Sequence, residues 1–127
     1  MSKTDYLENN LINHVLRGVT YASPGAIYVA LFTVAPTDLG GGTEVAGGSY
    51  ARQVVTFGAP STGTTTNDIA VLFPVATADW GTVTSFALMD QVAAGNMLYY
   101  ANLNASRTVL TSDQLNFPVG QLQVTED

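Results

Sequence analysis

Side-chain catalysis needs a base, a nucleophile or a bound metal, and this chain supplies few of each. Its one histidine, His14, lies in "YLENNLINHVLRG" with no nucleophile beside it, and no serine sits in a G-x-S-x-G elbow. There is no cysteine, which removes disulfides, thiolate metal ligands and a cysteine nucleophile together. Asp38, Glu44, Asp68, Asp79, Asp90 and Asp113 fall singly in or beside turn-rich stretches, where an aspartate is favoured because its side chain closes local turns. No spacing promotes a pair of them for glycoside hydrolysis, and no alternating Asp/Asn run ends in Glu as a calcium loop requires. The glycines of "LGGGTEVAGGSYARQVVTF" precede a strand-like run instead of joining a strand to a helix, and no Lys-Ser/Thr pair follows, so the context of a phosphate cradle is missing. These residue types predict a protein that is not an enzyme, with no catalytic residues, no metal and no cofactor.

The side chains better suited to contact than to chemistry are aromatic or apolar ones in unusual places. Trp80, Tyr99 and Tyr100 have the character of a sugar-stacking platform or an interface hot spot, although burial in a core is the commoner fate of such residues. Alternation along "MLYYANL" puts Met97, Tyr99, Ala101 and Leu103 on one face and leaves Tyr100 on the other with Asn96 and Asn102, so Tyr100 is the expected surface contact. Leu39 and Val45 sit on the Pro- and Gly-rich connection "APTDLGGGTEVAGGS", a length that marks functional or mobile loops. Apolar side chains on such an arm are expected to insert into a neighbour's pocket, the alternative being that they fold back onto their own sheet.

These residues must be positioned by a small set of elements. Leu7, Leu11, Ile12, Val15 and Leu16 recur on one face of a helix over about residues 5–17, with Asp5 and Glu8 forming a capping box and Gly18 a left-handed stop. Leu11 and Val15 are expected to be buried against the sheet or a neighbouring subunit. "AIYVALFT" is apolar on both faces and reads as a central strand. Further strands are expected over about 51–57, 69–73, 83–89, 97–103 and 122–125, with shorter ones near 107–110 and 114–117 and turns at "GAPSTGTTTND" and "AAGN". Many short strands and one convincing helix predict a mainly β fold: an antiparallel β-sandwich or barrel with one N-terminal amphipathic helix, the β-rich region covering about 26–125 of one domain, 1–127.

Composition bounds the partners. Four basic and ten acidic residues give a net charge of −6 with no basic cluster, which argues against nucleic acid. Only 11% of residues are charged against 46% hydrophobic, so part of the surface is expected to be covered in an assembly. The N-terminus lacks the apolar core of a signal peptide, and no run is long enough to span a bilayer. A soluble protein made in the cytosol, without membrane insertion, is the expectation.

Taken in order, "YLENNLINHVLRG", "IYVALFTVAPTDLGGGTEVAGGSYARQVVTF" and "FPVATADWGTVTSFALMD" resemble a family of short tailed-bacteriophage proteins often labelled phage tail fibre proteins. The resemblance covers most of the chain and implies a non-enzymatic virion structural protein, made in the host cytoplasm. Its partners would be copies of itself (a homo-oligomer) and other virion proteins such as the major capsid or tail proteins. A fibre needs an attachment module, a stalk and a tip, and no coiled-coil or repeat stalk is visible here. A capsid decoration or cement subunit is therefore the first reading, and a tail fibre or tail-tip module binding a host receptor or glycan is the alternative. Within the resemblance, "GGSYARQVVTF" looks like the join between a flexible arm and a strand. Tyr50 and Arg52 are there placed for defined contacts, Arg52 as an ion pair or carbonyl clamp, internal or across an interface.

Overall fold

The computed structural model describes residues 1–126. The chain opens with a two-residue strand, β1 (Ser2–Lys3), and passes through Thr4 into helix α1 (Asp5–Arg17). Thr4 is the N-cap: its backbone is extended and its hydroxyl accepts from the Leu7 N–H. This corrects the expected capping box by one residue. Asp5 is already helical, and its own N–H donates to the Asp38 carbonyl at 2.8 Å. Gly18 closes the helix with φ 66° and donates to the Asn13 carbonyl, the left-handed stop expected there.

Nine more strands follow: β2 (Ile27–Val34), β3 (Thr43–Glu44), β4 (Gln53–Val55), β5 (Thr64–Thr66), β6 (Val71–Leu72), β7 (Gly81–Met89), β8 (Met97–Val109), β9 (Asn116–Phe117) and β10 (Gln123–Thr125). The principal sheet runs β1-β8-β7-β2, and the outer edge of β2 is shared by β3 at one end and β4 at the other. Two small ribbons, β5 with β10 and β6 with β9, complete the set, and every pairing is antiparallel. The fold is mainly β with antiparallel sheets and one N-terminal helix, as the strand spacing predicts, and among the described residues no sheet closes into a barrel.

The central position of β2 follows from its sequence. Val29 and Leu31 point to the larger core, with Phe86 and Leu88 of β7 and with Phe73, Trp80, Phe117, Leu122 and Val124 from the ribbons and loops. Ala30 and Phe32 point the other way, into a smaller cluster with Ala87, Met89 and Met97, edged by Tyr28 and Tyr100. Period-two alternation thus sends neighbouring apolar residues to opposite, equally apolar faces.

Two readings of the strands need correction. Residues 64–66, expected within a turn, form β5; three consecutive threonines suit a pleated strand, and their partner β10 (Gln123–Thr125) lies far along the chain, near its C-terminus. Met97 and Tyr99 do not share a face. The β7–β8 register shifts between Leu88↔Tyr99 and Met89↔Met97, so Leu98 is an extra residue that flips the alternation, and Met97 joins the Tyr100 side.

Candidate functional site

The Gly-rich arm leaves β2, turns at residues 37–40 and returns as β3. In that turn Thr37 and Gly40 exchange backbone hydrogen bonds, and the Thr37 hydroxyl caps it. Gly42 has φ 75°, and a Cβ there would stand 2.6 Å from the Val34 carbonyl oxygen, so the arm hugs β2 at a point only glycine tolerates. Beyond it the Val45 N–H donates to the Leu31 carbonyl, and the Val45 side chain is 5% exposed in its own core. The expectation that Val45 inserts into a neighbour is therefore corrected: backbone pairing with β2 carries it inward. Leu39, at the tip, is 86% exposed.

The base of the arm is braced by a polar network. Arg52 forms a two-pronged pair with Glu44, Nε to Oε2 at 2.9 Å and Nη2 to Oε1 at 2.8 Å, while Nη1 donates to the carbonyls of Gln91 and Ala94 at 2.9 and 2.7 Å. The guanidinium thus acts both as an ion pair and as a carbonyl clamp, tying β3 to the β7–β8 turn within the one chain. Tyr50 donates its hydroxyl proton to Glu44 at 2.6 Å and accepts from the Leu31 N–H at 3.0 Å. Burial would push the Glu44 carboxyl up, but hydrogen bonds from Arg52 and Tyr50 outweigh it and hold the group below the usual carboxylate range. Burial, reinforced by the Glu44 hydrogen bond, pushes the Tyr50 phenol far above its ordinary value.

Trp80 lies 5% exposed in the core, not on a stacking platform. Its indole N–H donates to the Gly48 carbonyl at 2.9 Å, and its ring meets Tyr50 edge-on at 5.5 Å. Gly48 has φ 58°, and a Cβ would stand 2.8 Å from Trp80 Nε1. Tyr100 is half-buried, with its hydroxyl bonded to the Asp38 carboxylate, a bond that raises the phenol's pKa. Asp90 and Asp113 close local turns onto Asn96 and the Leu110 N–H, the duty expected of scattered acids, whereas Asp68 and Asp79 instead tie separate segments together through Thr56 and Thr111.

These connections frame a cleft of about 500 Å³. Phe32, Met89 and Met97 line its apolar part, and Asp5 and Tyr6 of α1, Asp38 to Gly42 of the arm, and Gly95 and Asn96 of the β7–β8 turn stand around it. Arg52 and Glu44 brace the wall between arm and turn. Of the expected contact residues, Leu39 and Arg52 reach the cleft, and Tyr100 supports it through Asp38. Leu11 and Val15 do not: Leu11 is half-buried and Val15 is 72% exposed, so Val15 has no place against its own sheet. Tyr6 is an addition that local pattern did not mark, and Asn96, placed by alternation on the Tyr100 face, meets it only through the pairing of distant strands. The described residues include no group of three His, Asp or Glu placed to hold a metal, and no helix among them is long and apolar enough to cross a membrane.

A mainly β antiparallel protein with a single N-terminal helix and a braced glycine arm is the class the fold defines. The profile of the family described as Podophage GP4 fiber I protein gp80 matches residues 2–125, and the chain belongs to that family. It is accordingly a phage fibre-type virion structural protein, as the resemblance implied. No curated protein matches the chain.

Proposed function

We propose that the chain is a non-enzymatic building block of a phage tail fibre, assembled with copies of itself and with adjoining tail proteins. The observation that carries this reading is the fibre-family match across residues 2–125. It favours the fibre over the capsid decoration subunit that the missing stalk pattern suggested. Self-association is supported by helix α1, where Ile12, Val15 and Leu16 leave a contiguous apolar strip open at 54%, 72% and 77% exposure, with Val19 just beyond. Exposed apolar residues at helical spacing mark protein contact surfaces. The non-enzymatic reading is supported by the engagement of the loop acids and of Arg52 in structural bonds, and by His14, whose Nδ1 pairs with the Val19 carbonyl at the helix end.

Cryo-electron microscopy of purified particles carrying a tagged copy tests the assignment. Extra density on the tail fibres is expected. Density confined to the head surface, or absence of the protein from mature particles, would overturn it.

A further inference from the structure

We infer that the cleft between α1, the glycine arm and the β7–β8 turn is a binding site for one or two rings of a neutral or amine-bearing sugar. This goes beyond the fibre reading, since it assigns a ligand to a defined place, and the two fail separately. A volume of about 500 Å³ suits a small ligand and is far too small for a folded partner. One part of the lining is apolar, from Phe32, Met89 and Met97, and the Tyr6 ring stands at the rim 39% exposed, so the C–H face of a pyranose has both a floor and a stacking partner.

The polar groups are biased towards acceptors. Asp5 and Asp38 both line the cleft and are joined through the Asp5 N–H and the Asp38 carbonyl. Asp38 receives the Tyr100 hydroxyl on Oδ1, which leaves Oδ2. Asn96 commits its backbone N–H and one amide hydrogen to Asp90, which leaves its amide oxygen and one amide N–H. Hydroxyl and ammonium groups are the donors that such a set receives. The cleft's one cation, Arg52, is already engaged by Glu44 and two carbonyls, so nothing is placed to neutralise a carboxylated, sulfated or phosphorylated sugar. The walls are preformed, because Arg52 ties arm to turn and Tyr100 holds Asp38, which lowers the ordering cost of binding.

The test is amide chemical-shift mapping of the full chain by NMR, with methyl glucoside, methyl galactoside, N-acetylglucosamine and glucosamine at millimolar concentrations, against glucuronate and N-acetylneuraminate. At least one neutral or amino sugar is expected to shift residues 5, 6, 38–42 and 96 saturably, and the two anionic sugars are expected to leave them unmoved. Asp5→Asn, which keeps the helical backbone and its N–H, should weaken that affinity about tenfold, and Tyr6→Ala by a similar factor. Silence with every sugar, a response mapped elsewhere, anionic sugars binding equally well, or retention of full affinity in both variants would each overturn the proposal. So would occupation of the cleft by an oligolysine peptide in place of sugars.

Discussion

The two faces of the principal sheet carry the same kind of strand residues and are finished in opposite ways. On one face two ribbons and their loops deliver Val71, Phe73, Trp80, Leu115, Phe117, Leu122 and Val124 onto Val29, Leu31, Phe86 and Leu88. The result is an aromatic-rich core in which Tyr50, Phe73, Trp80, Phe117 and Phe86 meet ring to ring. The other face has only Ala30, Phe32, Ala87, Met89 and Met97, with the start of α1 and the glycine arm beside a cleft instead of a closed lid. Beyond its first turns the helix presents Ile12, Val15 and Leu16 to solvent. One face therefore supplies stability, and the other leaves apolar and polar groups open.

The contrast is sharpest in substitutions, and the largest effect belongs to the closed face. Trp80→Ala removes a buried ring together with its hydrogen bond to Gly48 and should destabilise the chain by about 3–5 kcal/mol in urea unfolding. A loss below about 1 kcal/mol would mean that the aromatic core is not what holds this face.

At the junction of the two regions, Arg52→Ala leaves Glu44 half-buried without its counter-ion and should cost about 3 kcal/mol at neutral pH. The same pair sets a pH dependence. Because the folded Glu44 carboxyl lies below its unfolded value, its contribution is present above the ordinary carboxylate range, near pH 4.3. That contribution is lost as pH falls through the depressed folded value. Glu44→Gln should therefore lower stability at neutral pH and flatten its decline on acidification; an unchanged acid slope would remove Glu44 from the account.

On the open face the effect on folding should be smallest. Val15→Ser with Leu16→Ser should leave monomer stability within about 0.5 kcal/mol, since both side chains are exposed. It should nevertheless shift sedimentation at micromolar concentration from oligomer towards monomer. Unchanged sedimentation would move the assembly surface elsewhere.

How far the sequence revealed this division depends on whether each feature is local. The helix bounds, its Gly18 stop and the two-sided apolar character of β2 are written in consecutive residues, and each was readable. The Leu98 bulge was not, because one extra residue leaves no mark except in its partner's register. Val45 was misplaced because a glycine-rich arm looks mobile until its pairing with β2 is known. Arg52 was singled out as an ion pair or clamp, but its partners Glu44, Gln91 and Ala94 lie up to 42 positions away. The cleft was illegible for the same reason: α1, the arm and the β7–β8 turn converge only once β8 has placed the helix cap, through Thr4 N–H to the Leu98 carbonyl, beside Met97.

Amide hydrogen exchange measured on the isolated chain and on the same chain within purified phage particles tests the division of labour most directly. Residues 12–19 should gain protection in the particle, while β5, β6, β9 and β10 should be unchanged because their face is already closed. Protection gained on those ribbons, with none on the helix, would contradict the account.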